Sequence, residues 1–335
     1  MKTILVTGAN GFVGTHTLKN LMKLDGINLI AACRDKSKLI PEYKGEIREG
    51  DFRDEDYLDK MLEGVDIVCN AMAWTSLWGH RKQSQELYYE PMIKLIDKVI
   101  EKNISRFINV STTSAASPEK SSDAMSVGIP RPYWPHLCNV IRIENYMRLK
   151  ASNNTIFVNM RLGIFAGEHY GLGILPILLP RLKTHLVPWV AGGKTSLAII
   201  DGADIGEAMK CAAIAEELTG YESFNIVGKE VPTVKQVIEF IHNQFAYPKP
   251  HFSVPFFIAY PFAWLMEMLD PIVPWEPLVN RSIIHLLEDV SANNNRATEM
   301  LNYHPHHHWQ DAVSKQIQEM IKLQKKPMRM ARPIV

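Results

Sequence analysis

The feature that most constrains this chain is a glycine-containing turn near its amino terminus. The turn spans residues 7–14, with the sequence TGANGFVG, and follows the apolar run Ile4-Leu5-Val6. Such a run is typical of a strand buried on both faces of a parallel sheet. Gly8 permits a tight turn, Gly11 allows the backbone to approach a diphosphate, and Gly14 allows the next helix to pack closely on the strand. The order of strand, glycine turn and helix predicts a dinucleotide-binding site.

The residues around this turn also bear on which cofactor binds. The amide groups near Phe12 and Val13 are expected to face the phosphates, at the positive end of the helix dipole. The second predicted strand, residues 28–33, is followed by Arg34 and Asp35. A carboxylate at this place binds the ribose 2'-hydroxyl of NAD, whereas a basic residue accommodates the 2'-phosphate of NADP. Arg34 favours NADP, and NAD is the alternative because Asp35 competes.

Composition excludes several classes of protein. The chain has 335 residues, 46% of them apolar, which suffices for one α/β domain and a smaller substrate region. Its 37 basic and 36 acidic residues give a net charge of +1, so no nucleic-acid partner is expected. The four cysteines form no CxxC pair and Met1-Lys2 leads directly into the first strand, which predicts a cytoplasmic protein without a signal peptide. The cluster His304, His306, His307 and His308 is interpreted as a surface turn, and no metal is predicted.

The spacing TGxxGxxG, with Asn10 inside it, resembles the extended short-chain dehydrogenase/reductase family, which includes NAD-dependent epimerases and dehydratases and 3β-hydroxysteroid-dehydrogenase-like enzymes. Five further segments carry the resemblance along nearly the whole chain: 50–54, 64–73, 161–167, 224–228 and 301–305. The resemblance implies a Rossmann-type, doubly wound parallel sheet. It also implies a return to the sheet at 199–204, with Asp204 as a helix cap, and residues 192–194 read as a hairpin turn.

The motifs and the resemblance together give the expected organisation. Residues 1–165 form the NAD(P)-binding domain with a returning segment at about 195–230, residues 166–194 and 231–323 form the substrate region, and 324–335 form a basic tail. The expected cofactor-binding residues are Gly8, Asn10, Gly11, Phe12, Val13, Gly14, Arg34, Asp51, Phe52, Asn70, Ala71, Ala73 and Ser111.

The family's catalytic Tyr-x-x-x-Lys motif is missing from its expected place. Counting back from Arg161, and by four from Glu144, puts the lysine position at Val140 and the tyrosine position at His136. Valine cannot hold the nicotinamide ribose. Histidine has an unperturbed pKa of about 6.5 and can exchange a proton without help from a lysine, so His136 is the first candidate for the proton-transfer group.

Three other residues are candidates for the catalytic site, one for orienting the reacting oxygen and two for proton transfer. Thr113 follows the fifth predicted strand, where the family carries a hydroxyl that hydrogen-bonds the reacting oxygen. Tyr133 lies three residues before His136, in a proline-containing loop, and is the second candidate for proton transfer. A literal Tyr-x-x-x-Lys match occurs at Tyr146–Lys150, but it is only eleven residues before Arg161, which places it at the far end of the helix.

The carboxy-terminal half contains the most apolar segment of the chain, 252–275. Within it, residues 256–266 could form core, cover a hydrophobic substrate, or contact a membrane interface; the run lacks the Lys/Arg face of a surface-bound helix. A homodimer through the helices starting near Gln85 and His136 would resemble the family.

Two functions remain open at the level of sequence. The first is an oxidoreductase or epimerase that acts on a secondary alcohol or ketone, and the apolar carboxy-terminal segment favours a hydrophobic substrate. In that case Thr113 orients the oxygen and His136 moves the proton. The second is a sensor, scaffold or assembly protein that binds NADP(H) without turnover, because both groups of the catalytic motif are lost.

Overall fold

The central element is a seven-stranded sheet in which every strand pair is parallel. The computed structural model describes residues 1–152, 154–270, 272, 277 and 279–325, with the side chains of 324 and 325 excepted. The strand order is β3-β2-β1-β4-β5-β6-β10. Those strands are β1 (Lys2–Thr7), β2 (Ile27–Cys33), β3 (Glu46–Glu49), β4 (Ile67–Asn70), β5 (Arg106–Thr112), β6 (Ile156–Leu162) and β10 (Tyr221–Ile226). The predicted doubly wound parallel sheet is confirmed.

Two short parallel pairs lie outside this sheet. β7 (Ile164–Ala166) pairs with β9 (Ile199–Asp201), and β8 (Trp189–Val190) pairs with β11 (Ser253–Val254). The chain therefore leaves the main sheet after β6 and returns to its edge as β10. The domain limits given above stay a prediction, and most of the basic tail, 326–335, lies outside the described residues.

Helices cover both faces of the sheet and build the carboxy-terminal region. They are α1 (Phe12–Leu21), α2 (Glu55–Met61), α3 (Arg81–Ser84), α4 (Glu90–Glu101), α5 (Pro135–Lys150), α6 (Ile174–Leu182), α7 (Gly202–Ile214), α8 (Val234–Phe245), α9 (Phe256–Leu269), α10 (Arg281–His285), α11 (Asn295–Leu301) and α12 (Trp309–Lys325). A π-helical turn at Gln85–Tyr89 connects α3 to α4. No helix in the described part of the chain is long and apolar enough to cross a membrane.

Two apolar layers enclose the sheet. Alternate residues of the strands, such as Ile4 and Val6 of β1, pack with α1 and α7 on one face. Leu5 and its counterparts point the other way, towards α2, α4 and α5. This division follows from the period of two in a strand, and both faces of the sheet are covered as a parallel sheet requires. The active site of such a fold is expected at the carboxyl ends of the strands.

Two local expectations are wrong. Asp201, not Asp204, caps α7, because the Asp201 carboxylate accepts the backbone N–H of Ala203. Asp204 lies inside the helix and instead accepts the backbone N–H groups of His306 and His307. Residues 192–194 do not form a hairpin turn, since β8 before them pairs in parallel with β11, some sixty residues later in the chain.

Candidate active site

The glycine turn after β1 has no room for side chains at two of its positions. Gly8 has a positive φ of 58°, and a Cβ there would lie 2.6 Å from the Ala71 carbonyl oxygen. A Cβ at Gly14 would lie 2.2 Å from the Gly8 carbonyl oxygen, so α1 can approach β1 only without a side chain. Gly11 is different, because the closest atom to its Cβ would be 3.2 Å away. Gly11 is the residue whose exposed backbone is left for a ligand.

The amino terminus of α1 has the form of a phosphate-binding site. Gly11 is the N-cap residue and no side chain caps the helix. The first-turn amides near Phe12 and Val13 are thus left for a partner other than a capping side chain. Asn10 does not point at this site: its Nδ2 donates to the Asp35 carbonyl oxygen over 3.0 Å and ties the turn to the end of β2. The chain fits a dinucleotide diphosphate at this helix end.

The side chains expected around the adenosine differ in whether they already have partners within the protein. The Arg34 side chain is exposed and makes no hydrogen bond or ion pair within the described chain. Asp35 is engaged, because its carboxylate accepts from the Ser37 backbone and hydroxyl groups, which lowers the pKa of Asp35, and it pairs with Lys38. Arg34 is therefore the available group at this position.

Asp51 and Phe52 follow the carboxyl end of β3, just as the glycine turn follows the carboxyl end of β1. The Asp51 carboxylate accepts two hydrogen bonds from the Arg53 guanidinium, over 2.9 and 2.5 Å, and this holds the pKa of Asp51 at about 2. Phe52 is buried and packs edge-on against Tyr57. Asp51 is thus ionised at neutral pH, while Phe52 belongs mainly to the core.

A row of polar side chains crosses the sheet at one level and includes Asn70. The Thr7 hydroxyl donates to Asn70 over 2.7 Å, Asn70 donates to Asn109 over 3.0 Å, and Asn109 donates to Asn159 over 3.4 Å. Asn159 donates in turn to Ser223 over 3.2 Å. All five residues are buried. The Asn70 side chain is consequently used inside the protein, and what it offers a cofactor is the backbone that follows it.

Ala71 and Ala73 lie on that backbone. The Ala71 amide donates to the Thr7 carbonyl oxygen over 3.3 Å, which keeps the chain beside β1 as it leaves the sheet. Ala73 is exposed. Ala71 thus lies against the glycine turn, since a Cβ at Gly8 would be 2.6 Å from its carbonyl oxygen, while the role of Ala73 stays a prediction.

Ser111 is not open to a cofactor through its side chain. Its hydroxyl donates to Glu144 Oε1 over 2.5 Å, and Arg161 donates to both oxygens of the same carboxylate, over 3.1 and 2.6 Å. The three residues are buried, so the ion pair is enclosed by protein. Glu144 and Arg161 together fix α5 to the end of β6.

His136 lies in the first turn of α5, enclosed by aromatic rings. Its ring centroid is 5.0 Å from that of Tyr88 and 6.0 Å from that of Trp74. The buried Nδ1 atom has no hydrogen-bond partner among the residues that the structure describes. Burial lowers the pKa of His136 to about 4, so the imidazole is neutral at neutral pH. One turn later, Val140, the position predicted for the family's lysine, is buried in the apolar layer below.

Thr113 lines a small cleft between the sheet and the carboxy-terminal region, together with two residues that none of the sequence motifs above indicated, His285 and Glu288. His285 Nδ1 lies 2.9 Å from Glu288 Oε2, and its Nε2 lies 3.1 Å from the Ser114 carbonyl oxygen. The Tyr260 hydroxyl donates to Glu288 Oε1 over 2.5 Å. A His-x-x-Glu spacing was the only sequence signal for this cluster.

Tyr133 borders the same cluster. It lies in the turn before α5, its ring centroid is 6.5 Å from that of Tyr260, and the Arg281 guanidinium lies 4.7 Å above the ring. Burial raises the pKa of Tyr133. The structure thus brings Thr113 and Tyr133 to one cluster, while His136 lies in its own aromatic enclosure.

The literal Tyr-x-x-x-Lys match is at the other end of α5. The Tyr146 hydroxyl donates to Asp97 over 2.5 Å, and Lys150 is the last residue of the helix. This pair is separated from His136 by more than two helical turns, as the sequence analysis expects.

Comparison with known families decides the classification. The model of the NAD dependent epimerase/dehydratase family matches residues 4–226, which covers all seven strands of the main sheet. The chain belongs to this family. It is an NAD-dependent enzyme by that membership.

Two curated relatives extend the match along the chain. A sterol-4-alpha-carboxylate 3-dehydrogenase (decarboxylating) of Dictyostelium discoideum is 20% identical over 322 residues, 90% of this chain and 96% of the relative. An uncharacterized membrane protein of Methanocaldococcus jannaschii is 29% identical over 259 residues, 73% of this chain and 72% of the relative.

Solved structures of this epimerase/dehydratase family have the same fold. The UDP-glucuronic acid 4-epimerase from Bacillus cereus, in complex with UDP-glucuronic acid and NAD, has a TM-score of 0.70 at 17% identity, covering 96% of this chain and 99% of the other. The UDP-glucose 4-epimerase of Thermotoga maritima has a TM-score of 0.69 at 17% identity, covering 96% and 100%.

Proposed function

We propose that this family member is an NADP(H)-dependent oxidoreductase or epimerase that acts on a hydrophobic secondary alcohol or ketone. The observation that carries the proposal is the glycine turn, where the Gly8 and Gly14 positions leave no space for a Cβ and α1 begins without a capping side chain. In such a site the bound nicotinamide accepts or supplies a hydride.

Arg34 supports NADP over NAD. Its guanidinium is exposed beside the end of β2, whereas the Asp35 carboxylate is held by Ser37 and Lys38. A ribose 2'-phosphate would therefore meet an unpaired positive charge, and a 2'-hydroxyl would find no free carboxylate at that position. NAD, which is present in the Bacillus cereus structure, is the alternative.

His136 is proposed as the group that exchanges the proton. A neutral imidazole can take the hydroxyl proton of an alcohol as the hydride leaves its carbon. Because Nδ1 is buried, Nε2 is the ring atom proposed to take it. Thr113, at the end of β5, is proposed to orient that oxygen by a hydrogen bond. Tyr133 is the second candidate for proton transfer, because its ring lies beside that of Tyr260, whose hydroxyl binds Glu288 in the cleft that Thr113 lines.

The apolar carboxy-terminal region supports a hydrophobic substrate. The Dictyostelium relative is named as a sterol dehydrogenase, whereas the solved structures are of UDP-sugar epimerases. Four unpaired cysteines, three of them buried, agree with the proposed cytoplasmic location. A homodimer through α4 and α5 remains part of the proposal.

Titration with NADPH and NADH, followed by turnover of hydrophobic ketones and of UDP-glucose, tests the proposal. We expect tighter binding of NADPH and consumption with a ketone. His136→Asn should reduce the rate about a hundredfold or more while leaving NADPH binding intact. A matched control is His304→Asn at an exposed histidine. Binding without turnover of any substrate would instead favour the sensor or scaffold function.

A further inference from the structure

Helix α9 is apolar on the side that faces away from the protein as well as on the side that faces it. Its inner stripe includes the buried residues Ala259 and Ala263, which pack with Val190 and Ile284. The outer side carries exposed apolar side chains at helical spacing: Phe257 at 76%, Ile258, Phe262, Trp264 and Leu265 at about half, and Met268 at 58% exposure. An ordinary surface helix has charged residues on its outer face.

No charge interrupts this outer face. The one ionisable carboxylate of the helix, Glu267, is buried on the inner side and binds the Arg281 guanidinium over 2.7 and 2.6 Å. The Tyr260 hydroxyl is also used internally, by Glu288. Two further apolar residues of the segments at the start of the helix, Phe252 and Leu186, are 50% and 76% exposed. Contiguous apolar surface of this extent marks an interaction site.

The two segments at the amino-terminal end of α9 carry basic residues and no acidic ones. Two segments meet there, because β11 lies directly before the helix and pairs with β8. Neither segment has an Asp or Glu over residues 169–200 or 240–266. Lys183 and Lys249 are exposed, and the exposed His185 and His251 rings stack with their centroids 5.6 Å apart.

We propose that the outer face of α9 docks on an anionic lipid surface, with the basic border at lipid headgroups. An interfacial helix lies along a membrane surface without spanning it, and it carries phenylalanine, tryptophan and leucine near lysines, as α9 and its neighbouring segments do. The missing Lys/Arg face of the helix itself is supplied by the neighbouring segments 181–185 and 249–251. Docking of this kind does not depend on the proposed catalytic activity.

A second copy of the chain fits this surface less well. A two-fold symmetric interface uses the same patch of both copies, so it would bring two basic borders into one interface, and segments 169–200 and 240–266 supply no acidic residue to offset them. An anionic bilayer has the complementary charge and accepts an apolar face of any outline. Charge therefore favours lipid over self-association.

Co-sedimentation of the full-length protein with vesicles tests this proposal. The vesicles are phosphatidylcholine alone and phosphatidylcholine mixed in equal parts with phosphatidylglycerol. We expect binding to the mixed vesicles. The double variant Phe257→Ser, Trp264→Ser removes two exposed apolar side chains and should weaken binding by about tenfold or more. Leu149→Ser is the control, because Leu149 is 83% exposed at the far end of α5.

The basic border is tested separately. Lys183→Glu with Lys249→Glu should weaken binding to the mixed vesicles by about tenfold or more and should leave the apolar face unchanged. Failure of the unchanged protein to bind either vesicle would overturn the proposal. So would a dimer that the Phe257→Ser, Trp264→Ser variant dissociates, since the face would then serve a second copy. Circular dichroism of each variant serves as the control that the variant is folded.

Discussion

The enclosure of His136 makes the stability of the protein depend on pH. Burial lowers the pKa of His136 to about 4, whereas in the unfolded chain it is near the ordinary value of 6.5. The unfolded state therefore binds the proton first as the pH falls, and stability is lost between the two values. At about pH 5 the pH is about 1.5 units below the unfolded-state pKa. Proton binding by the unfolded state therefore lowers the free energy of unfolding by about 2 kcal/mol between about pH 8 and pH 5.

His136→Phe isolates this contribution. Phenylalanine keeps an aromatic ring between Tyr88 and Trp74 and removes the unpartnered Nδ1. Urea unfolding followed by circular dichroism should give the variant a free energy of unfolding that falls by about 2 kcal/mol less than that of the original chain between about pH 8 and pH 5.

A second histidine provides the comparison. Burial also lowers the pKa of His16 to about 4, so His16 continues to titrate in the His136→Phe variant and part of the pH dependence remains. His304→Gln, at an exposed site, should leave the pH dependence of the free energy of unfolding unchanged. Equal pH dependence in the original chain and in His136→Phe would refute the argument, because it would mean that His136 is hydrated in the folded state.

Four further substitutions test the site and its supports. Gly14→Ala places a Cβ 2.2 Å from a backbone oxygen and should abolish NADPH binding in titration, whereas Gly171→Ala, where nothing lies within 4 Å, should not. Arg34→Asp should weaken NADPH binding about tenfold or more and leave NADH binding within a few-fold. Asp201→Ala removes the cap of α7 and should cost about 1 kcal/mol in urea unfolding. Glu144→Gln leaves a buried guanidinium without its counter-charge and should cost about 3 kcal/mol or more by the same measurement.

The sequence predicts best where structure depends on neighbouring residues. The turn after β1 is readable because a short apolar run, three glycines and a helix signal lie within fifteen residues, and each glycine has a local steric reason. The cap of α7 illustrates the limit of such signals. Asp201 and Asp204 are both acidic residues near one helix start, and only the extended backbone at Asp201 identifies the cap.

Features that depend on distant segments are not readable in this way. The cluster around His285 joins residues 114, 260 and 285–288, and no single window of sequence contains it. An apolar helix such as α9 has the same pattern whether it is buried or exposed. For the same reason, the pattern that places His136 in the family's tyrosine position cannot show that Trp74 and Tyr88 enclose its ring.

The polar row across the sheet restricts how the strands can assemble. Thr7, Asn70, Asn109, Asn159 and Ser223 satisfy one another only when all five strands are aligned as they are. A slip of one residue in any strand would turn its polar side chain to the opposite face and leave buried amides without partners. The row therefore selects the strand register during folding. An apolar strand alone tolerates several registers, but all the hydrogen bonds of this row form in only one of them.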